Sequence, residues 1–321
     1  MLKVLVIGGS GRIGTYLVPK LVNSGYEVIN VTRGISLPYK NNPAWKEVEN
    51  VTLDREKETG GEFERKIAAV GADVVIDLIN YTLKDTKAMA EALGQTNLSH
   101  YLFCSSLWAH GKATKIPIIE DQPRVPLEEY GLQKAKSEAY LHELYRREGF
   151  PETSVLPGQI CGPGWNIINP TANLDPAVFP KISRGEEIAI ANFGMQTLHF
   201  VHADDVAQVF FKALTHRKAA LGESFHAVGE ESITLQGYAR AMFRYFGHEV
   251  NIKFLPWKEW CAYVGNEEHI DVTYHHIARS GYYSIEKAKR LLDYCPRHTL
   301  LESLEESVEY MAKRDWLNKA N

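Results

Sequence analysis

The sequence predicts an α/β protein built on a doubly wound parallel sheet. Three observations carry this reading. Residues 2–7 (LKVLVI) form a short apolar run with β-branched side chains, which is the pattern of a buried strand. The run breaks at Gly8-Gly9, and beyond Gly14 the residues Tyr16, Leu17, Val18, Leu21 and Val22 recur at helical spacing. Similar short runs at 27–32, 51–54, 73–78 and 101–104 alternate with helical patterns, and that alternation favours parallel strands joined by crossover helices. A chain of 321 residues makes one large domain or two modest ones.

The first strand leads into GGSGRIG, residues 8–14. In a strand–turn–helix that holds a dinucleotide, Gly8 permits the tight turn, Gly11 lets backbone approach a pyrophosphate and Gly14 lets helix pack on strand. The phosphates sit on free N–H groups at the positive end of the helix. Arg12 and Ile13 lie inside the same loop. The alternative is a glycine-rich turn with no ligand. With a ligand, this is the nucleotide-binding half of a Rossmann fold. The second strand, 27–32 (EVINVT), ends Thr32-Arg33-Gly34, with no acid to accept from a ribose 2′-hydroxyl. Arg33, with Arg12 nearby, suits a 2′-phosphate, so NADP is the expected cofactor and NAD the alternative. Otherwise Arg33 is a solvated surface arginine. Residues 35–50 are polar and rich in Pro and Asn, the composition of an irregular surface excursion. A brief strand at 51–54 ends in Asp54. A helical pattern (Phe63, Ile67, Ala68, Val70) then leads to the fourth strand, 73–78.

The fifth strand, 101–104 (YLFC), runs into Ser105-Ser106, at the carboxyl end of a strand where open α/β sheets bind ligands. Further on, Tyr130-Gly131-Leu132-Gln133-Lys134 opens a helix, and the i, i+4 spacing puts Tyr130 and Lys134 on one face. A tyrosine with a pKa near 10 is a poor base at neutral pH. A neighbouring lysine ammonium favours the phenolate, so Tyr130 can exchange a proton with a substrate alcohol or ketone while Ser106 holds the reacting oxygen. Alone, a Y-x-x-x-K pattern is common on exposed helices; the glycine loop and the strand-end serine give it meaning.

Composition narrows the function classes. The hydrophobic fraction of 45% is that of an ordinary globular chain, and a net charge of -4 gives no reason to expect nucleic acid. No segment is apolar for long enough to span a bilayer, and the opening run is too short for a signal peptide. The cysteines Cys104, Cys161, Cys261 and Cys295 form no C-x-x-C pair, so free thiols in a cytoplasmic setting are expected. Twelve histidines include His199, His202, His269, His275 and His276, but none has metal-ligand spacing, and no metal is expected.

Together these residues resemble the extended short-chain dehydrogenase/reductases, the NAD-dependent epimerase/dehydratase family, in an atypical branch. CSSLWAHG is similar to that family's S-S-x-x-V-Y-G segment, VLPGQICGPG (155–164) to its L-R-P-x-N-V-Y-G-P stretch, and HFVHADDVAQ (199–208) to F-I-H-V-D-D-V-A. The resemblance implies a cofactor-binding Rossmann domain over 1–164, with part of 199–230 returning to it. A smaller α/β C-terminal domain over 165–321, mainly substrate-binding, is implied as well. It implies Ser106, Tyr130 and Lys134 as the catalytic set, with Lys134 also on the nicotinamide ribose. Gly8, Gly11, Arg12, Ile13, Gly14, Arg33, Asp54, Leu78, Ile79, Pro157 and Ile160 become cofactor contacts. Trp108, Trp165, His199 and Arg279 become substrate candidates, and a homodimer is expected.

Three departures shape the expected reaction. No acid follows Ser106 closely, which argues against sugar dehydration unless His110 or Glu120 substitutes. Leu198 stands where nucleotide-sugar enzymes carry a diphosphate-binding arginine. Asp77-Leu78-Ile79-Asn80-Tyr81 replaces H-L-A-A beside the cofactor. The expectation is hydride transfer at a secondary alcohol or ketone of a sugar or sugar-nucleotide-like substrate. The alternatives are a nucleotide-sugar 4-epimerase with tightly bound NAD and, more distantly, a non-catalytic cofactor- or RNA-binding regulator.

Overall fold

A computed structural model describes residues 1–316; the final residues of the expected C-terminal part, 317–321, lie outside the described residues. The strands are β1 (Lys3–Ile7), β2 (Glu27–Thr32), β3 (Glu49–Thr52), β4 (Val74–Asp77), β5 (His100–Cys104), β6 (Glu152–Pro157) and β7 (Gln159–Cys161). They continue as β8 (Ile188–Ala191), β9 (Thr197–Leu198), β10 (Phe200–His202), β11 (Ser224–Ala227), β12 (Ile233–Thr234) and β13 (Ile252–Leu255). The helices are α1 (Gly14–Asn23), α2 (Glu62–Ala69), α3 (Leu83–Leu93), α4 (Glu129–Glu148), α5 (Val178–Ser183) and α6 (Ala203–Thr215). After them come α7 (Arg217–Ala220), α8 (Leu235–Tyr245), α9 (Trp257–Val264), α10 (Glu267–Ile277), α11 (Glu286–Leu292) and α12 (Leu300–Met311).

Seven strands form one parallel sheet in the order β11-β6-β5-β4-β1-β2-β3. Its central strands are apolar on both sides because helices cover both faces. On one face Leu17, Val18 and Leu21 of α1, Val206 and Phe210 of α6 and Leu292 of α11 pack on Val4, Val6 and Ile76. On the other, Phe63 and Ile67 of α2, Met89 and Leu93 of α3 and Leu141 of α4 pack on Leu5, Ile7 and Val75. A separate apolar cluster joins α5, α8 and α12 around Ile188, Ile190 and Phe200. Three two-stranded sheets accompany it: β7 with β10, β9 with β12, and β8 with β13.

The strand order reverses between β1 and β4, so the carboxyl ends of β1, β2, β4 and β5 open on one crevice. The third strand departs from the expected 51–54. It begins at Glu49, inside the stretch expected to be irregular, because Asn50 pairs with Asn30 and accepts a hydrogen bond from its amide at 2.8 Å. Asp54 instead closes the strand, its carboxylate accepting from the backbone N–H of Glu56 at 3.1 Å. The rest of the excursion holds one short turn at Pro43–Glu47, capped by the Asn42 side chain.

Candidate active site

The glycine loop is built by close backbone approach. Gly8 has φ +84°, and a Cβ there would stand 2.8 Å from Cγ2 of Ile79. A Cβ on Gly14 would stand 2.0 Å from the carbonyl oxygen of Gly9, so only glycine lets α1 begin against the loop. Gly9 matters as well, because a Cβ there would meet the Asn30 side chain at 2.5 Å. Asn30, buried in the middle of β2, donates to Ser10 Oγ at 3.0 Å and ties the loop to the sheet. Its only advance sign is a polar residue inside the run EVINVT.

A cleft of about 550 Å³ opens beside this loop, lined in part by Gly8, Gly11, Arg33, Asp54, Ile79 and Tyr81. A dinucleotide fits the donor set: a helix N-terminus at a glycine turn suits pyrophosphate, and Arg33 at the lip suits a further anion. Arg33 is exposed and has no carboxylate partner among the described residues. Arg12 lies over the Trp165 ring, 5.0 Å from its centroid, with Tyr39 edge-on to the same indole. Leu78 is packed into the sheet's core, Pro157 closes β6 and Ile160 lies in β7 opposite Val201.

Beneath the cleft, Asp77 is wholly buried and accepts from Arg55 Nη2 at 2.6 Å, Asn80 Nδ2 at 3.2 Å and the Tyr101 hydroxyl at 3.2 Å. Arg55 also donates to the Ile79 carbonyl at 2.9 Å. Burial of the carboxylate is tolerable only with such a shell of donors. The Arg55–Asp77 pair braces residues 77–80 at the end of β4.

The catalytic candidates converge at the end of β5. Ser106 caps the short turn Leu107–Ala109, and its hydroxyl accepts from the Trp108 N–H at 3.2 Å. Tyr130 and Lys134 project from α4, whose start is held against that turn. A Cβ on Gly131 would lie 2.4 Å from the Trp108 carbonyl oxygen, which explains the glycine after Tyr130. Lys134 is buried and donates to the carbonyls of Asn80 at 2.5 Å and Cys104 at 2.7 Å. Burial lowers its pKa to about 8. Tyr130 is 39% exposed at the residue level, yet burial of its hydroxyl pushes the pKa up, against a hydrogen bond with Ser106 that favours the phenolate. The Lys134 ammonium lies 5.6 Å from the Tyr130 ring centroid. Here burial outweighs the expected pull of the lysine and keeps the proton on Tyr130.

Trp108 and Arg279 meet beside Tyr130. The Arg279 guanidinium lies 3.8 Å from the Trp108 ring centroid, and Trp108 is edge-on to Tyr130 at 6.0 Å. His199 borders the same small hollow. Both of its ring nitrogens are engaged: Nε2 donates to the Gly229 carbonyl at 2.9 Å and Nδ1 accepts from the Tyr283 N–H at 3.1 Å. Trp165 is distant from this group in role, packed with Arg12 and Tyr39 and donating to the Ile160 carbonyl at 3.3 Å. His110 and Glu120 are engaged with His226. His226 Nδ1 donates to the Ser284 carbonyl, so its Nε2 accepts from His110 Nε2 at 2.8 Å, while Glu120 accepts from the His226 N–H at 3.0 Å.

A family model, "NAD dependent epimerase/dehydratase family", matches residues 4–227. The chain belongs to this family. Among curated relatives, it is 28% identical over 321 residues to the chloroplast stem-loop binding protein of 41 kDa b of Arabidopsis thaliana, covering 95% of this chain and 78% of that one. It is 26% identical over 264 residues to 2′-dehydrokanamycin reductase of Streptomyces kanamyceticus, covering 81% and 71%. Among solved structures, UDP-glucose 4-epimerase from Thermotoga maritima with UDP-glucose superposes with a TM-score of 0.74 at 22% identity, covering 98% and 99%.

In this epimerase/dehydratase family member, one group of possible metal ligands occurs among the described residues: His202, His298 and Glu306. His202 Nδ1 accepts from the Asp204 N–H at 3.0 Å, so the neutral ring carries its proton on Nε2 and donates it to Glu306 at 3.1 Å. Burial lowers the His202 pKa to about 4 and keeps the ring neutral. With no free lone pair on His202, its contact with Glu306 is a hydrogen bond that joins the end of β10 to α12. Among the described residues, no helix is long and apolar enough to cross a membrane.

Proposed function

We propose that this protein is an NADP-dependent oxidoreductase that reduces a ketone, or oxidises the matching secondary alcohol, on a carbohydrate-like substrate. The observation that supports the reading is the convergence of Ser106, Tyr130 and Lys134 at the end of β5, with Tyr130 and Lys134 both against Tyr81, a lining residue of the glycine-loop cleft. The nicotinamide supplies or accepts the hydride. Tyr130 gives its proton to the substrate oxygen as the ketone is reduced, and a raised pKa keeps that proton available at neutral pH. Ser106 holds the same oxygen. Lys134 keeps a cation near the tyrosine ring and holds the nicotinamide ribose in this reading. Similarity to 2′-dehydrokanamycin reductase over 81% of the chain supports the reaction class.

Arg33 is proposed to favour the 2′-phosphate. Titration of the protein with NADPH and NADH tests this: NADPH should bind more tightly by about 10-fold or more, the scale of one charge-assisted contact. Arg33→Asp should reverse the order. Tight NAD released on denaturation of the purified protein would instead favour the 4-epimerase reading, which the NAD-bound structural neighbours support. The stem-loop binding relative is the specific support for an RNA-associated reading. The assembled tyrosine, lysine and serine weigh against it. The expected homodimer is a proposal from the family alone; the outward side of α3 and α4 carries the charged Lys84, Lys87, Glu91, Lys136 and Glu143.

A further inference from the structure

We infer that Tyr81 is a further binding determinant of the cofactor site: its ring covers Lys134, and the nicotinamide end of a dinucleotide reaches that lysine only when the ring swings aside. The inference rests on the proposed dinucleotide reading, in which Lys134 holds the nicotinamide ribose. A lysine with that task has to offer an N–H to the cleft. Lys134, however, is only 1% exposed. Two of its three donors go to the carbonyls of Asn80 and Cys104, and the third has no acceptor among the described residues. Around the ammonium stand three ring centroids, Tyr81 at 5.0 Å, Phe103 at 5.1 Å and Tyr130 at 5.6 Å. All lie within the range at which a ring face attracts a cation.

The three rings differ in their freedom to move. Phe103 is wholly buried in β5 and cannot leave without opening the core of the sheet. Tyr130 is the proposed proton donor and has to stay beside Ser106. Tyr81 is 53% exposed and lines the cleft of about 550 Å³. Among the described residues its side chain makes ring contacts with Tyr130 and Lys134 and no hydrogen bond.

The backbone on either side of Tyr81 is fixed. Asn80, fully buried, donates to Asp77 at 3.2 Å and accepts from Thr86 Oγ1 at 3.0 Å. Thr82 caps α3 by accepting from the Asp85 N–H at 3.1 Å, and the Leu83 N–H donates to Gln133 of α4 at 2.8 Å. The side chain alone is left to move, and it can turn without disturbing the Asn80 carbonyl that holds Lys134. Each binding event gives up one cation–π contact, so apparent affinity is lowered by the fraction of molecules whose ring already stands aside. Rotation of an exposed side chain takes picoseconds to nanoseconds, so the cost falls on affinity and not on association rate.

The test is calorimetric titration of the full-length protein with NADPH and with adenosine 2′-phosphate 5′-diphosphate, a probe that ends at the pyrophosphate. Tyr81→Ala should tighten NADPH by about 3- to 30-fold, the equilibrium factor of one cation–π contact, and leave the shorter probe unchanged. Tyr81→Phe keeps the ring face and should bind both as wild type does. Tyr81→Leu keeps apolar bulk without the ring's charge distribution and should tighten NADPH in the same direction. Unchanged binding of the shorter probe is the check on folding, and the leucine variant carries the comparison if the alanine variant fails it. A folded Tyr81→Ala protein that binds NADPH no more tightly than wild type would overturn the inference; weaker binding would make the ring a wall on which the nicotinamide end packs. Wild type that binds neither ligand would bring down the dinucleotide reading itself, and the inference with it.

Discussion

At Tyr130 the proton is held by burial, and at Lys134 the charge is held by two carbonyls against burial. These two facts make separable predictions. Tyr130→Phe removes the proton donor while leaving the ring that packs on Trp108, so turnover should fall by about 10²- to 10⁴-fold with dinucleotide binding unchanged. Steady-state kinetics beside a cofactor titration checks this. Lys134 ionises near pH 8, far below the ordinary lysine value, so its cation is complete at pH 7 and is lost as pH rises past about 8. Dinucleotide affinity should therefore weaken between pH 7 and 9 in wild type. In Lys134→Met it should be weaker and flat with pH. The same shift has a stability sign: the unfolded chain keeps this proton up to a higher pH, so the penalty of burying the charge is full below pH 8 and eases above it.

Among the elements, the glycine loop and the start of α4 show what sequence spacing reveals and what it hides. The helix that carries Tyr130 and Lys134 at i, i+4 and the tight turn at Gly8 were legible because helix periodicity and turn chemistry are local. Gly14, by contrast, is crowded by the loop carbonyl of Gly9 and not by the strand. Gly14→Ala should destabilise the protein by at least about 2 kcal/mol, because a Cβ 2.0 Å from the Gly9 carbonyl forces the loop off α1. Chemical denaturation measures it. Gly25→Ala makes the contrast, since a Cβ there meets nothing within 4 Å, although its φ of +82° still carries strain. The third strand was misplaced because ENVT is mostly exposed and lacks an apolar pattern, and its register is set by the Asn30–Asn50 contact. The Glu128–Arg279 pair spans 151 residues and the His110–His226 pair 116, so no spacing rule could find either.

Over the whole molecule, the parallel, doubly wound character of the sheet was legible in the alternation, whereas the apolar cluster around α5, α8 and α12 had no comparable pattern. Buried histidines give the molecule a common pH response. Burial lowers His100 and His226 to about 3 and His199 and His276 to about 4. Each binds its proton more weakly folded than unfolded, so stability should be full above pH 6.5 and fall below it, by roughly 1 kcal/mol per histidine per pH unit. Raised values at Glu120 and Glu152 act in the opposite direction and moderate the slope. Urea midpoints at pH 7 and 5.5 measure it, and equal midpoints would remove the buried neutral histidines as the cause.

The most direct test of the account is to mix NADPH-loaded wild type and Tyr130→Phe with a panel of keto-sugars and follow the nicotinamide absorbance. The account predicts NADPH oxidation by wild type with at least one ketone of the panel, and near-silence from a variant that still binds NADPH. A variant as active as wild type, or a wild type that binds neither dinucleotide, would contradict it.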